Sequence, residues 1–173
     1  MAQFAYGQKN PIKDNQLLIT NEITGKSVKL NASVNDIKNF GTLISIDSLD
    51  QDNYESDIGL QYTFTNIIFK LTAKGYIHNF ETRSNEISLE VKGMFSFSPD
   101  DHIDKIAAIF PEEVNEARII EMADKSPYLL VNIDLLSFSK MDNKYVNNYY
   151  EGIALIFNPA TKILESIVSW VRP

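Results

Sequence analysis

Cysteine is absent from this 173-residue chain, which excludes disulfides, thiolate metal sites and a cysteine nucleophile together. No apolar run approaches the roughly 20 residues that cross a bilayer as a helix, so membrane insertion is not expected. Only seven glycines occur, none in a G-x-G-x-x-G or G-x-x-x-x-G-K arrangement, so no phosphate-cradling loop is expected. Ser and Thr are plentiful, yet no G-x-S-x-G elbow or S-x-x-K pair stands in a suitable context. Positive charge is short: 16 basic residues against 23 acidic ones give a formal net charge of −7. Nucleic-acid binding relies on Lys and Arg that neutralise phosphates, so no nucleic-acid partner is expected. The N-terminus, MAQFAYGQKNPIKDNQ, shows neither a basic nor an apolar leader region. No secretory signal is expected there, and with the lack of Cys this is compatible with a cytoplasmic location.

What remains is an ordinary globular composition, 44% hydrophobic and 23% charged. At this length it suffices for one domain over residues 1–173 with a sizeable core. No internal repeat, low-complexity tract or linker is legible. Residues 1–16 are polar and are expected to attach loosely. Residues 17–20 and 27–33 flank NEITGK, where Gly25 offers a turn position, and predict a first hairpin. Residues 40–48, FGTLISIDS, alternate Leu43, Ser45 and Asp47 against Thr42, Ile44 and Ile46, as a strand does. Residues 49–56, LDQDNYES, read as a polar loop. Residues 57–80 carry a β signal too long for one strand of about five to six residues, which predicts a bulge or bend around Thr65 and Asn66. Ile87, Leu89 and Val91 alternate with Ser88, Glu90 and Lys92, the pattern of a strand with one face on the core. Gly93 marks a second bend before Met94, Phe95 and Phe97.

Helical signals follow. Ser98 fits an N-cap, Pro99 the first helical position and Asp101 the capping-box position. Ile103, Ile106, Ala107 and Phe110 keep helical spacing, and Pro111 predicts a kink or a second start. The helix is expected to continue over residues 112–124 with Val114, Ala117, Ile120 and Met122 or Ala123 buried. Residues 128–138, 149–157 and 163–171 return to β character. Asn158-Pro159-Ala160-Thr161-Lys162 is a turn that makes the last two a C-terminal hairpin, with Trp170 packed near its end. The expected fold class is therefore α+β: an antiparallel β-sheet with one or two helices packed on one face, plus a C-terminal β-hairpin.

Candidate chemistry is thin. Asp100, Asp101, His102 and Asp104 form the one cluster with metal-ligand residue types, and Asp100 and Asp104 stand one helical turn apart. Acidic residues at a helix start are stabilising without any metal, so no metal site is expected. A metal-dependent hydrolase built on Asp100, His102 and Asp104 would require measurable metal uptake. His78 lies in a strand with no acidic partner near in sequence. Glu112, Glu113, Glu116 and Glu121 read as the wet face of a helix. No catalytic residue and no cofactor is expected, and the chain reads as a non-enzyme. Aromatic residues are more suggestive: KYVNNYYEG carries Tyr145, Tyr149 and Tyr150, and tyrosine combines contact area with a polar tip. The expected polypeptide-contact residues are Tyr62, Phe64, Phe95, Phe97, Tyr149 and Tyr150.

The stretch EISLEVKGMFSFSPDDHIDKIAAIFPEEVNEARIIEM resembles the SecB-like family of export chaperones. In that family a strand ending in a Gly-hydrophobic-Phe element leads into a long helix with an apolar run, a Pro and an Ala-Arg pair. Gly93-Met94-Phe95, residues 106–111 and Ala117-Arg118 stand in the corresponding places, and Val131-Asn132-Ile133-Asp134 is similar to the family's Val-Asn-Phe element. The resemblance covers about residues 57–136. The segment between Ala117-Arg118 and Val131 is shorter than in the family and lacks its Pro-rich stretch, and a hairpin stands where the family ends in a helix. The resemblance implies a SecB-like fold, a homo-oligomer, and a chaperone that holds unfolded polypeptides in hydrophobic grooves without ATP. The function expected is thus non-enzymatic polypeptide binding. The alternative is an inhibitor or immunity protein of a phage or mobile element that binds one folded protein target.

Overall fold

Turn-forming residues interrupt the β-branched and aromatic stretches at short intervals, so the backbone keeps folding back instead of running on. The structure, a computed structural model, describes residues 12–49, 58–121, 126–139 and 144–171. The side chains of Ile58 and of residues 137–139, 144–151, 170 and 171 also lie outside the description. Among the described residues are thirteen strands, three short α-helices and one 3-10 turn at Asp14–Gln16. In chain order the strands and α-helices are β1 (Ile12–Lys13), β2 (Leu17–Asn21), β3 (Lys26–Lys29), α1 (Val34–Ile37) and β4 (Leu43–Ser48). There follow β5 (Ile58–Phe64), β6 (Ile68–Thr72), β7 (Ile77–Thr82), β8 (Ile87–Val91) and β9 (Phe95–Phe97). The last are α2 (Ile103–Ala107), α3 (Pro111–Asn115), β10 (Arg118–Glu121), β11 (Pro127–Ser139), β12 (Lys144–Phe157) and β13 (Leu164–Val171).

The expected α+β class gives way to a mostly β protein of two sheets. One has nine strands in the order β1-β11-β12-β13-β7-β6-β5-β4, with β10 also paired to β11. The other has four, in the order β3-β2-β8-β9. The large sheet is mixed, because β1 runs parallel to β11 while its other pairings are antiparallel. Two misread stretches account for the change. Residues 57–80 are not one bent strand: the chain reverses at residues 65–67 and again at residues 73–76, giving the three antiparallel strands β5, β6 and β7. The long helix expected over residues 99–124 is two helices of five residues each. His102, not Ser98, caps α2, and its Nδ1 accepts from Asp104 N–H at 3.3 Å. Pro111 takes the first position of α3, where its fixed φ and missing N–H cost nothing. Arg118-Ile119-Ile120-Glu121 then pairs with β11, since adjacent β-branched residues pack better on a pleated ladder than on a helix. Gly93 sits in the β8–β9 turn at φ +79°, and Val131-Asn132-Ile133-Asp134 lies inside β11. The segments that carried the SecB-like resemblance therefore take up a different architecture. The first hairpin (β2–β3) and the C-terminal hairpin (β12–β13) stand where expected.

The sheets also show a repeat invisible in the residues. Hairpins β2–β3 and β8–β9 meet through antiparallel β2 and β8, with Ile19 opposite Leu89 and Thr20 opposite Ser88. In the large sheet β7 and β13 meet antiparallel, with Ile167 opposite Thr82 and Val168 opposite Glu81. A similar order of elements, a hairpin, then one short helix in the first half and two in the second, then an antiparallel run of four strands, lies on either side of these two seams. The helix starts match in detail. Val34 N–H donates to Gly75 O and Ile103 N–H to Lys162 O, at 2.8 and 2.9 Å, each acceptor lying in the turn before the last strand of its half. Gly75 and Lys162 both have left-handed φ, +79° and +61°. Ser33 pairs with Tyr76 as His102 pairs with Ile163. The molecule is thus two similar halves about an approximate two-fold axis, sharing one continuous core.

Each half closes that core with phenylalanines. Phe40, Phe64 and Phe69 meet edge to face in the first, with centroids 5.3–6.4 Å apart. In the second, Phe110 lies edge-on to the stacked pair Phe95 and Phe97. Such ring geometries add to the burial itself.

Candidate functional site: a free strand edge and the cleft beside it

The chain reaches β4 through a tether of side-chain bonds. Asn21 is buried, and its Nδ2 donates to Phe40 O at 2.8 Å while its Oδ1 accepts from the backbone N–H groups of Ile23 and Thr24. Thr24 Oγ1 donates to the same Phe40 carbonyl at 3.1 Å. Gly41 follows directly, and a Cβ there would stand 3.1 Å from Asn21 Nδ2. The start of β4 is thereby held against the β2–β3 hairpin, and its strand is laid along β5.

On its other side β4 has no strand partner among the described residues. Leu43 opposes Phe64 and Ile46 opposes Tyr62, with an irregularity in register between Leu43 and Ser45. Residues directly opposite share a face, so Leu43 and Ile46 project on the core side of the sheet but beyond its margin. The bulge at Ile44 breaks the strict alternation read from the sequence. Leu43, Ile44 and Ile46 are 44%, 64% and 50% exposed. Leu49 N–H donates to Gly59 O at 3.2 Å. Alternation along an antiparallel strand then turns Asp47 and Ser45 toward β5, and leaves the N–H and C=O of Ile46 and Ser48 pointing outward. Ser45 Oγ donates to Asp47 Oδ2 at 2.8 Å. This is a largely apolar edge whose outward backbone groups have no strand partner among the described residues, an arrangement that can accept another strand.

Ile44 also lines a cleft of about 570 Å³ at the end of β5, β6 and β7, together with Thr63, Asn66, Ile68, Glu81 and Arg83. Asn66 is buried; its Nδ2 donates to Glu86 Oε2 at 3.4 Å, and its Oδ1 has no partner among the described residues. Arg83 Nε pairs with Glu81 Oε1 at 3.2 Å on the rim.

The residues named from the sequence are dispersed. Phe64, Phe95 and Phe97 are buried in the core, where they cannot touch a partner; the alternating pattern marked their strands correctly and their exposure wrongly. Tyr62 is half-buried on β5, packed against the core beside Ile46. Tyr149 and Tyr150 fall on β12, and their side chains lie outside the described residues, as do those of Tyr145 and Trp170. The acidic cluster is absorbed by local bonds: Asp101 accepts from Ser98 N–H and from Lys105 Nζ at 2.8 Å, and Asp100 accepts from Asn85 Nδ2 at 2.7 Å. No group of three His, Cys, Asp or Glu positioned for a metal occurs among the described residues. No helix among them is long and apolar enough to cross a membrane. The edge residues Leu43, Ile44 and Ile46 were missed because alternating apolar residues read as core. Only the order of strands shows that β4 is outermost.

No protein-family model matches the chain, and no curated protein matches it. Among solved structures it is similar to an extracellular protein containing an SCP domain from Bacillus anthracis str. Ames, at 10% identity and a TM-score of 0.45. The match covers 82% of this chain and 44% of that one, so the chain spans less than half of that protein's length.

Proposed function

We propose that this chain is a non-enzymatic protein that binds polypeptide in extended form, adding it as a strand to β4. The observation behind the reading is that edge: outward backbone groups at Ile46 and Ser48 flanked by exposed Leu43, Ile44 and Ile46. Main-chain hydrogen bonds supply affinity in such strand addition, and alternate side chains supply preference. An unfolded segment offers its own unpaired backbone, which is why this mode suits capture of unfolded chains without an energy source. A folded inhibitor target would instead have to present an edge strand of its own.

The test is a mixture with a permanently unfolded, reduced and alkylated polypeptide, followed by light scattering and fluorescence anisotropy. A complex that forms with the parent chain and with Ile46→Ala, but is lost in Ile46→Pro and Ser48→Pro, is the expected result. Proline is tolerated on an edge where the N–H faces solvent, so both variants should keep the parent circular dichroism. Binding unchanged in both proline variants would remove β4 as the site.

A further inference from the structure

We infer that the segment added to β4 is basic, its Lys or Arg residues alternating with apolar ones. This rests on the strand-addition reading and specifies its ligand. β4 reads LISIDS: its one charged side chain is Asp47, which is exposed, and hydroxyls occupy positions 45 and 48. Ser45 Oγ donates to Asp47 Oδ2, but no cation bonds that carboxylate among the described residues. Within β4 and β5 Asp47 is the one charged residue, and Lys70 of β6 stands on the same face beyond Gln61 without bonding it. The whole chain carries a formal net charge of −7. A strand laid on this edge brings one of its side chains opposite Asp47 and a neighbour two residues away onto the same face. Opposite charges across such a pair attract and like charges repel, and the net negative charge of the chain acts in the same direction at longer range.

The apolar half of the pattern follows from Ile46. The incoming residue opposite Ile46 lies on the core side of the sheet, where Leu43 and Ile46 already offer apolar surface. A polar residue there would leave that surface in water, whereas Val, Ile or an aromatic residue covers it. Period-2 alternation puts the residue opposite Asp47 on the other face. The captured segment thus has one apolar and one basic face. It is the complement of β4 and would not be supplied by a second copy of β4 itself, whose only charge is again Asp47.

Two short labelled peptides, one alternating Val with Lys and one Val with Glu, are titrated by anisotropy against the parent chain, Asp47→Lys and Ile46→Pro. The Lys–Val peptide is expected to bind about five-fold or more tightly than the Glu–Val peptide at low salt. The gap should narrow as the screening length falls from about 30 Å at 0.01 M salt to about 8 Å at 0.15 M. Asp47→Lys should shrink or reverse the preference. Equal binding of both peptides, abolished for both by Ile46→Pro, would overturn the basic ligand and leave strand addition standing. Binding that survives Ile46→Pro, or no binding of either peptide, would overturn strand addition as well.

Discussion

In the first half of the molecule the outermost strand, β4, is six residues long and carries Leu43, Ile44 and Ile46 into solvent. Its counterpart in the second half, β10, is four residues long and bounded by Arg118 and Glu121, with Ile119 the one large apolar side chain it exposes, at 58%. Beside β10, on the same margin of β11, the chain's own β1 adds in parallel through Ile12 and Lys13. Short length, charge and coverage are the devices by which proteins blunt a sheet edge, and the second half uses all three. β4 is longer and more apolar, with Asp47 its one charge and the irregularity in register at Ile44 its one interruption. The two counterpart edges therefore differ in length, charge and exposed apolar surface, and the proposed strand addition is placed at the longer, more apolar one.

The comparison can be broken first in the core. Phe40→Ala and Phe110→Ala each empty the hub of one aromatic cluster and should each cost about 3–5 kcal/mol. Because the core is continuous across both halves, chemical denaturation should show one transition moved in both variants. A separate, earlier transition in either would mean that the halves fold independently. The seam is the next target. Phe80 N–H donates to the hydroxyl of buried Ser169 at 2.8 Å, across the junction of β7 and β13. Ser169→Ala orphans that buried donor and should cost about 1–3 kcal/mol in the midpoint of denaturation.

Smaller effects compare the matched turns and caps. Gly75→Ala places a Cβ at left-handed φ and should cost about 1 kcal/mol, whereas Lys162→Gly at the equivalent position should be close to neutral, strain relief offsetting lost chain stiffness. The α1 cap adds a pH dependence. Ser33 Oγ and the Ser33 N–H both donate to Asp36 Oδ2, which holds the Asp36 carboxyl below its ordinary value, with Lys26 assisting. A depressed carboxylate contributes stability above its unfolded pKa and loses it as pH falls through its folded one. The parent should therefore lose slightly more stability than Asp36→Asn below about pH 4, read by thermal melts across that range.

Much of the fold was legible where chemistry is local. The β2–β3 turn needed Gly25, the β12–β13 turn followed from Asn158 and Pro159, and β8 declared itself through Ile87, Leu89 and Val91. At residues 65–67 the sequence predicted a bulge or bend and not a full reversal, because Asn66 is the one turn-former among them; Thr82 Oγ1 holds the turn by donating to the carbonyl of buried Asn66 at 2.7 Å. Residues 118–121 misled because a tertiary partner, β11, decided between helix and strand. The repeat was hidden because the halves conserve character without identity: Ile77, Phe80 and Thr82 are matched by Leu164, Ile167 and Ser169, all buried. The candidate site was the least legible part, since an edge strand and a core strand can share one pattern and differ only in their neighbours.

The difference between the two edges is tested most directly by amide hydrogen exchange with the Lys–Val peptide at saturation. Strand addition at β4 predicts that the Ile46 and Ser48 amides slow sharply while those of β10 do not change. Protection confined to β10, or to the cleft around Asn66 with Ile46 and Ser48 still exchanging freely, would contradict it.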